Sequence, residues 1–138
     1  MRLHSVFIYG SLLPGLSNHG VIKDEIRKCE SGVIAGRLVD AGAYPAAVRD
    51  GEAAAAGSRI RGLWIAVGRE GLAALDELEE FRGAEEMNDY ERVWTRDAFD
   101  AGKAGWVYVW PNDRGCPEVG SDSWAEYWKV KQAGERQR

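Results

Sequence analysis

Two features of this chain can do chemistry together. The first is Tyr9-Gly10-Ser11-Leu12, which follows the apolar run Val6-Phe7-Ile8 and leads into Pro14 and Gly15. A strand that ends in a small-residue turn leaves backbone N–H groups without ladder partners. Such groups, pointing one way, hold a carboxylate or a developing oxyanion. The second feature is Glu79, within Leu75-Asp76-Glu77-Leu78-Glu79-Glu80-Phe81. At about 100° per residue, Leu72, Leu75 and Leu78 define an apolar helical arc about 120° wide. Glu79 falls inside that arc, whereas Asp76, Glu77 and Glu80 fall outside it and within reach of water. A carboxylate in an apolar wall is costly to ionise, so its pKa rises. A value near neutrality suits a group that both accepts and donates a proton.

Each feature also has a plain structural reading. Tyr-Gly-Ser is an ordinary strand-to-loop turn, and Glu79 can pair with Arg61 or Arg92 and simply tie its helix to a sheet. Tyr90 can hydrogen-bond a substrate or a catalytic carboxylate and Arg92 can position an acid; equally, they can be a strand-start aromatic beside a surface arginine. Ser11 has no motif that brings His4 or His19 to it. It reads as a turn and binding residue and not as a serine-hydrolase nucleophile.

The elements that must position these residues follow from pattern. Val6–Ile8 reads as a central strand, and residues 18–28 as a loop entering a short helical or irregular piece. Gly32–Val39 reads as a second strand with a bulge or tight bend at Gly36. Gly42-Ala43-Tyr44-Pro45 is turn-like, and Gly51–Gly57 reads as a loop tip between strands, although its four alanines favour helix. Ile60–Val67 is a third strand and Gly68–Arg82 a helix. Tyr90–Phe99 and Gly105–Trp110 form a hairpin through Asp100-Ala101-Gly102-Lys103. Ser123-Trp124-Ala125-Glu126 has capping-box spacing and starts a short C-terminal helix. Five or so strands with one or two helices give a single α+β domain over residues 1–138, with a frayed tail from about 130. The tryptophans of the strands and the last helix read as core and rim packing.

Composition narrows the classes of function. With 138 residues, 45% hydrophobic and 29% charged, the chain has the balance of one globular domain with a continuous core. A net charge of −4 and dispersed basic residues argue against a nucleic-acid partner. The two cysteines, Cys29 and Cys116, and two histidines lack metal-ligand spacing, so no metal is expected. No apolar run approaches a membrane span. The chain enters a strand within a few residues of Met1, which reads as no secretory signal and sets a cytoplasmic, reducing location as the expectation, with both thiols free.

Taken in order, these segments resemble the γ-glutamylcyclotransferase-like superfamily, most of all the branch with γ-glutamylamine cyclotransferase and the plant avirulence-induced proteins. The resemblance covers roughly residues 5–128. It runs through Val6–Gly15 with Asn18-His19, Gly36-Arg37-Leu38, Tyr44-Pro45-Ala46, Arg61-Gly62-Leu63-Trp64, Leu75-Asp76-Glu77-Leu78-Glu79, Tyr90-Glu91-Arg92 and Gly105–Trp110. It implies a small, mostly antiparallel β-barrel with flanking helices and a cavity at one end. It further implies that Tyr9, Gly10, Ser11 and Leu12 bind the glutamyl end of a substrate through backbone amides, with Tyr44, Tyr90 and Arg92 also on the substrate side. Glu79 is implied as the general acid/base. Two departures stand out: Glu80 where a glycine often follows the catalytic Glu, and Leu13 where many relatives have a basic residue. Residues 83–88, with Glu85 and Glu86, have the look of an acidic flap.

The reaction implied is cofactor-independent: the α-amine of a γ-glutamyl group attacks its own δ-carbonyl, closing 5-oxoproline and expelling an amine or amino acid. The partner implied is a small γ-glutamyl compound, for a monomer or homodimer. Two other readings stay open at this stage: a pathway-specific tailoring enzyme that removes a γ-glutamyl group from a larger amine, and a non-catalytic ligand-binding protein on the same scaffold.

Overall fold

The computed structural model describes residues 2–16, 19–42, 44–81 and 90–136, without the side chains at 21, 78–81, 135 and 136. The chain begins with β1 (His4–Ile8), then a helical turn α1 (His19–Ile22) and a 3-10 turn at Lys23–Glu25. Strands β2 (Ile26–Ala35), β3 (Arg37–Asp40) and β4 (Pro45–Val48) follow, then helix α2 (Gly51–Ala56), strand β5 (Arg59–Val67) and helix α3 (Arg69–Phe81). Strands β6 (Glu91–Arg96) and β7 (Ala104–Trp110) form the expected hairpin, and α4 (Trp124–Arg136) closes the description. This is the expected α+β class, with a curled, half-barrel sheet and helices packed on it.

The seven strands make one sheet in the order β2-β5-β1-β7-β4-β3, with β6 paired to β7. β6 lies antiparallel along β7 from Ala104 to Val109. The other edge of β7 is therefore shared, with β1 opposite Trp106 and β4 opposite Val109 and Trp110, both parallel to it. The sheet curls until the chain leaving β6 returns to β2. There the Ala98 N–H donates to the Val33 carbonyl at 2.7 Å, and the Asp97 carboxylate accepts the Val33 N–H at 2.9 Å and the Trp64 indole N–H at 3.1 Å.

Strand alternation divides the apolar residues between two faces. Phe7, Ile34, Ile60, Trp64 and Val107 pack on one face with Trp124 of α4. Val6, Ile8, Ile65, Val67 and Tyr108 pack on the other beneath α3, whose Leu75 is fully buried. Burying one such leucine contributes roughly 1.5–3 kcal/mol, and it fixes which side of α3 meets the sheet. Among the described residues no helix is long and apolar enough to cross a membrane.

Three expectations change. Gly51–Ala56 is helix and not a loop tip: Asp50 caps it by accepting the Ala53 N–H at 2.9 Å, and Gly57 ends it in a left-handed conformation, so the alanines' helix propensity prevails. The second strand starts six residues earlier, at Ile26, where polar exposed residues pair with β5 but carry no apolar pattern. It also divides at Gly36, whose φ of 148° disfavours any residue with a Cβ. β4 was not foreseen. α4 spans Trp124–Arg136; the Lys131 ammonium reaches Asp40 at 3.0 Å, and the Tyr127 hydroxyl donates to the same carboxylate at 2.6 Å. The flap foreseen at 83–88 lies outside the described residues.

Candidate functional site

β1 and β4 both run along one edge of β7, and where β1 leaves that edge and β4 joins it the sheet is split. The split is bridged by Tyr9. Its hydroxyl donates to the Tyr108 carbonyl of β7 at 2.6 Å and accepts the Ala47 N–H of β4 at 3.0 Å. The phenol thus satisfies two buried backbone groups that would otherwise need each other or water.

Past Tyr9 the chain turns. The Leu13 N–H donates to the Gly10 carbonyl at 3.0 Å, which closes the turn over Ser11 and Leu12. His19 fastens the turn from outside, with Nδ1 2.8 Å from the Leu12 carbonyl. A carbonyl only accepts, so the imidazole carries its proton on Nδ1 there. Gly10 passes so close to Pro45 that a Cβ would stand 2.8 Å from its Cγ.

The result is a cleft at the split, with an empty volume of about 350 Å³ that includes its open mouth. Its walls are Phe7 to Leu12, Tyr44, Pro45 at the start of β4, Tyr90 and Tyr108. Tyr90 donates its hydroxyl to the Pro45 carbonyl at 2.7 Å and its ring lies 5.7 Å from that of Trp110. Six of the residues expected to bind substrate (Tyr9, Gly10, Ser11, Leu12, Tyr44 and Tyr90) therefore line one space. The hydroxyls of Tyr9 and Tyr90 both hydrogen-bond to backbone groups of the frame.

Arg92 is elsewhere. It sits on β6 directly opposite Tyr108 in register, lies over the Trp106 ring at 4.7 Å, and pairs with Asp76 of α3 through contacts of 2.6 and 2.9 Å. Arg61 is engaged by Asp122 at 2.9 Å and Glu126 at 2.8 Å. Position 79 lies three residues beyond Asp76 on α3, one turn along the same side of the helix. The Glu79 side chain is outside the described residues, so the expectation placed on it rests on backbone position.

Asp76 falls within reach of water, as its place on the helical wheel implies, with its side chain 40% exposed. Besides Arg92, its carboxylate accepts the Tyr108 hydroxyl at 2.6 Å. Burial, and then that hydrogen bond, push the Tyr108 phenol well above its ordinary range, so it stays a neutral donor at any physiological pH. The sequence signal for this contact was the spacing of Asp76 from Glu79; Arg92 and Tyr108 come into view only once β6 and β7 are paired. Among the described residues no group of three or more His, Cys, Asp or Glu side chains comes together to hold a metal ion.

Residues 6–126 match the model of the γ-glutamyl cyclotransferase, AIG2-like family. The chain belongs to this family. The match takes in the Tyr9–Leu12 turn, α3 and the β6–β7 hairpin. One relative, a γ-L-glutamyl-butirosin B γ-glutamyl cyclotransferase from Niallia circulans, is 32% identical over 126 residues, which cover 89% of this chain and 76% of the relative. Among solved structures, YkqA from Bacillus subtilis superposes with a TM-score of 0.73 at 21% identity, over 96% of this chain but only 43% of YkqA. An AIG2-like protein from Mus musculus superposes with a TM-score of 0.64 at 23% identity, over 89% of this chain and 88% of its own. At those identities the two structures speak to the fold, which they share.

Proposed function

We propose that this protein is a γ-glutamyl cyclotransferase that releases 5-oxoproline and a free amine by intramolecular aminolysis. The observation that carries the reading is the cleft at the sheet split, whose floor is the Tyr9–Leu12 turn, in a chain whose family match spans both that turn and Glu79.

In this reading the N–H groups around Ser11 and Leu12 hold the α-carboxylate of the glutamyl group or the oxyanion that forms at its δ-carbon. One such donor is typically worth about 3 kcal/mol in the barrier. The walls formed by Tyr44, Pro45 and Tyr90 fold the flexible glutamyl chain so that its nitrogen reaches its own δ-carbonyl, an orientation effect. An α-ammonium has no lone pair to attack with. Glu79 takes a proton from it, the new C–N bond closes the five-membered ring, and the C–N bond to the leaving amine breaks as Glu79 returns a proton to that nitrogen. The ring nitrogen then gives up a second proton, which the released amine takes up as it leaves as an ammonium. The α-nitrogen thus loses two protons, the departing nitrogen gains two, and no external acid or base is consumed.

A second reading concerns the size of the leaving group. The relative from Niallia circulans is named for a γ-glutamyl cyclotransferase acting on γ-L-glutamyl-butirosin B. A larger amine, with the same residues acting on it, is therefore a specific alternative to small γ-glutamyl amines or amino acids.

The test is release of 5-oxoproline from γ-glutamyl amino acids, ε-(γ-glutamyl)lysine, γ-glutamyl amines, glutathione and a γ-glutamylated amino sugar. Glu79→Gln is expected to lower kcat about 10²–10⁴-fold, the usual worth of general acid–base catalysis. Glu77, exposed on the same helix, is the control: Glu77→Gln should leave the rate essentially unchanged. Retention of more than about a tenth of the rate in Glu79→Gln would remove it as the acid/base, and no release from any compound would remove the reaction.

A further inference from the structure

The two working parts of the proposed site lie on elements far apart in sequence. The turn at Gly10–Leu12 follows β1, and position 79 lies on α3. One residue of β7 touches both. The Tyr108 carbonyl accepts the hydroxyl of Tyr9, the residue that opens the turn, at 2.6 Å. The Tyr108 hydroxyl donates to Asp76, one helical turn before position 79, at 2.6 Å. Tyr108 is 5% exposed and is among the residues that line the cleft.

We propose that Tyr108 is a positioning residue, whose hydroxyl holds α3 through Asp76 and so sets the distance between the anion-holding turn and the acid/base at position 79. This inference rests on the function proposed above and deepens it.

Three observations make the contact more than an incidental hydrogen bond. The apolar packing of α3 on the sheet is centred on Leu75, and burial alone is non-directional; it does not fix how α3 slides or rotates over β1 and β7. A hydrogen bond of 2.6 Å to a charged acceptor is short and directional, and it acts within one turn of residue 79. Arg92, opposite Tyr108 in register, takes the same carboxylate, so Asp76 is held from two neighbouring strands. The connection to the turn runs through the Tyr108 backbone. A change in its side chain can therefore loosen α3 while leaving the turn in place.

That separation supplies the test. Tyr108→Phe removes only the hydroxyl. In the 5-oxoproline assay it should lower kcat about tenfold or more, because displacing a reacting group by about 1 Å costs up to about 10²-fold, with KM changed less than about twofold. Asp76→Ala, which removes the Arg92 pair as well, should lose at least as much. Asp76→Asn, which keeps an oxygen to accept the Tyr108 hydroxyl, should recover most of it. The double variant Tyr108→Phe/Asp76→Ala should be little worse than Asp76→Ala alone, the mark of a shared contact. Thermal unfolding of each variant checks that it folds.

Amide hydrogen exchange gives a readout that needs no turnover. In Tyr108→Phe the amides of the second half of α3, residues 76–81, should exchange faster while those of residues 10–13 keep their protection. An unchanged kcat in Tyr108→Phe, or unchanged exchange along α3, overturns the proposal. So does a rise in KM at constant kcat, which would mean that the hydroxyl binds substrate directly. If the wild-type protein releases no 5-oxoproline from any compound, the proposed reaction falls, and the exchange result still decides whether Tyr108 holds α3.

Discussion

The hydroxyl of Tyr9 donates to the carbonyl of Tyr108 at 2.6 Å across a gap in the β-sheet, and the candidate site is that gap. β1 and β4 share one edge of β7 without meeting, and the phenol spans the space between them. A residue that the family resemblance assigns to substrate is, by its hydroxyl, part of the frame.

Removing that hydroxyl should therefore cost stability. In Tyr9→Phe the Ala47 N–H and the Tyr108 carbonyl lose a buried partner. Leaving such a group unsatisfied costs about 1–3 kcal/mol. Urea unfolding should show a loss of that size with an unchanged m-value. A variant as stable as the wild-type protein would mean that β4 and β7 close the gap without the phenol.

Gly10→Ala probes the opposite wall. The added Cβ would stand 2.8 Å from Pro45 Cγ and 3.0 Å from its Cδ. Pro45 has little freedom to retreat: it starts β4, its ring is rigid, and its carbonyl holds the Tyr90 hydroxyl at 2.7 Å. Overpacking of this kind costs about 1–3 kcal/mol. It also pushes the cleft walls apart, so kcat/KM for 5-oxoproline release should fall by more than the stability change accounts for. Equal activity in folded Gly10→Ala would separate the turn from the reaction.

The parts of this architecture legible in the sequence were those in which one element carries its own signal. The apolar run of β1, the leucine arc of α3, the β6–β7 hairpin and the Ser123 cap, whose hydroxyl accepts the Glu126 N–H at 3.3 Å, all follow from local pattern. β4 was missed because all four of its residues, Pro45–Val48, are buried, and a short strand buried on both faces shows no alternation. The first half of β2 was missed for the opposite reason, since residues 27–31 are exposed and only the ladder to β5 makes them strand. The site divides in the same way. The turn and its neighbouring tyrosines converge on one cleft, and local motifs pointed to them. A helical wheel puts Asp76 within reach of water but knows only its own helix. The Asp76 side chain is 40% exposed, and the groups that claim it, Arg92 and Tyr108, belong to strands whose register no wheel contains.

Acid sensitivity should begin at a cluster away from the cleft. Arg37, whose side chain is 6% exposed, pairs with Asp50 at 2.8 Å, Asp113 at 3.1 Å and Glu52 at 3.2 Å, tying β3 to α2 and to the turn after β7. The hydrogen bond from Arg37, and then that from the Ala53 N–H, lower the Asp50 carboxyl from 3.8 to about 2. A carboxyl lowered on folding stabilises the native state fully above its unfolded value. The contribution is lost as the pH falls through the folded value, so the window runs from about pH 4 down to about pH 2. The melting temperature of the wild-type protein should drop through that window, and Asp50→Asn should flatten the drop while lowering the plateau above it. A pH dependence in Asp50→Asn identical to that of the wild-type protein would place the acid-sensitive group elsewhere.

The cysteines supply a prediction about what the site does not use. Cys29 is exposed on β2 opposite Ile65, while Cys116 is half-buried against the cluster around Trp110. Burial first, and then the charges of Asp113 and Asp40, raise the Cys116 thiol. The thiolate is the reactive form, so iodoacetamide near neutral pH should label Cys29 well before Cys116, as followed by mass spectrometry. Neither residue is among those lining the cleft, and the proposed reaction proceeds through a carboxylate and backbone N–H groups. Protein labelled at Cys29 should therefore release 5-oxoproline at the unlabelled rate. A loss of activity that tracks Cys29 labelling would require a nucleophilic or substrate-contacting thiol, which the proposed mechanism does not contain.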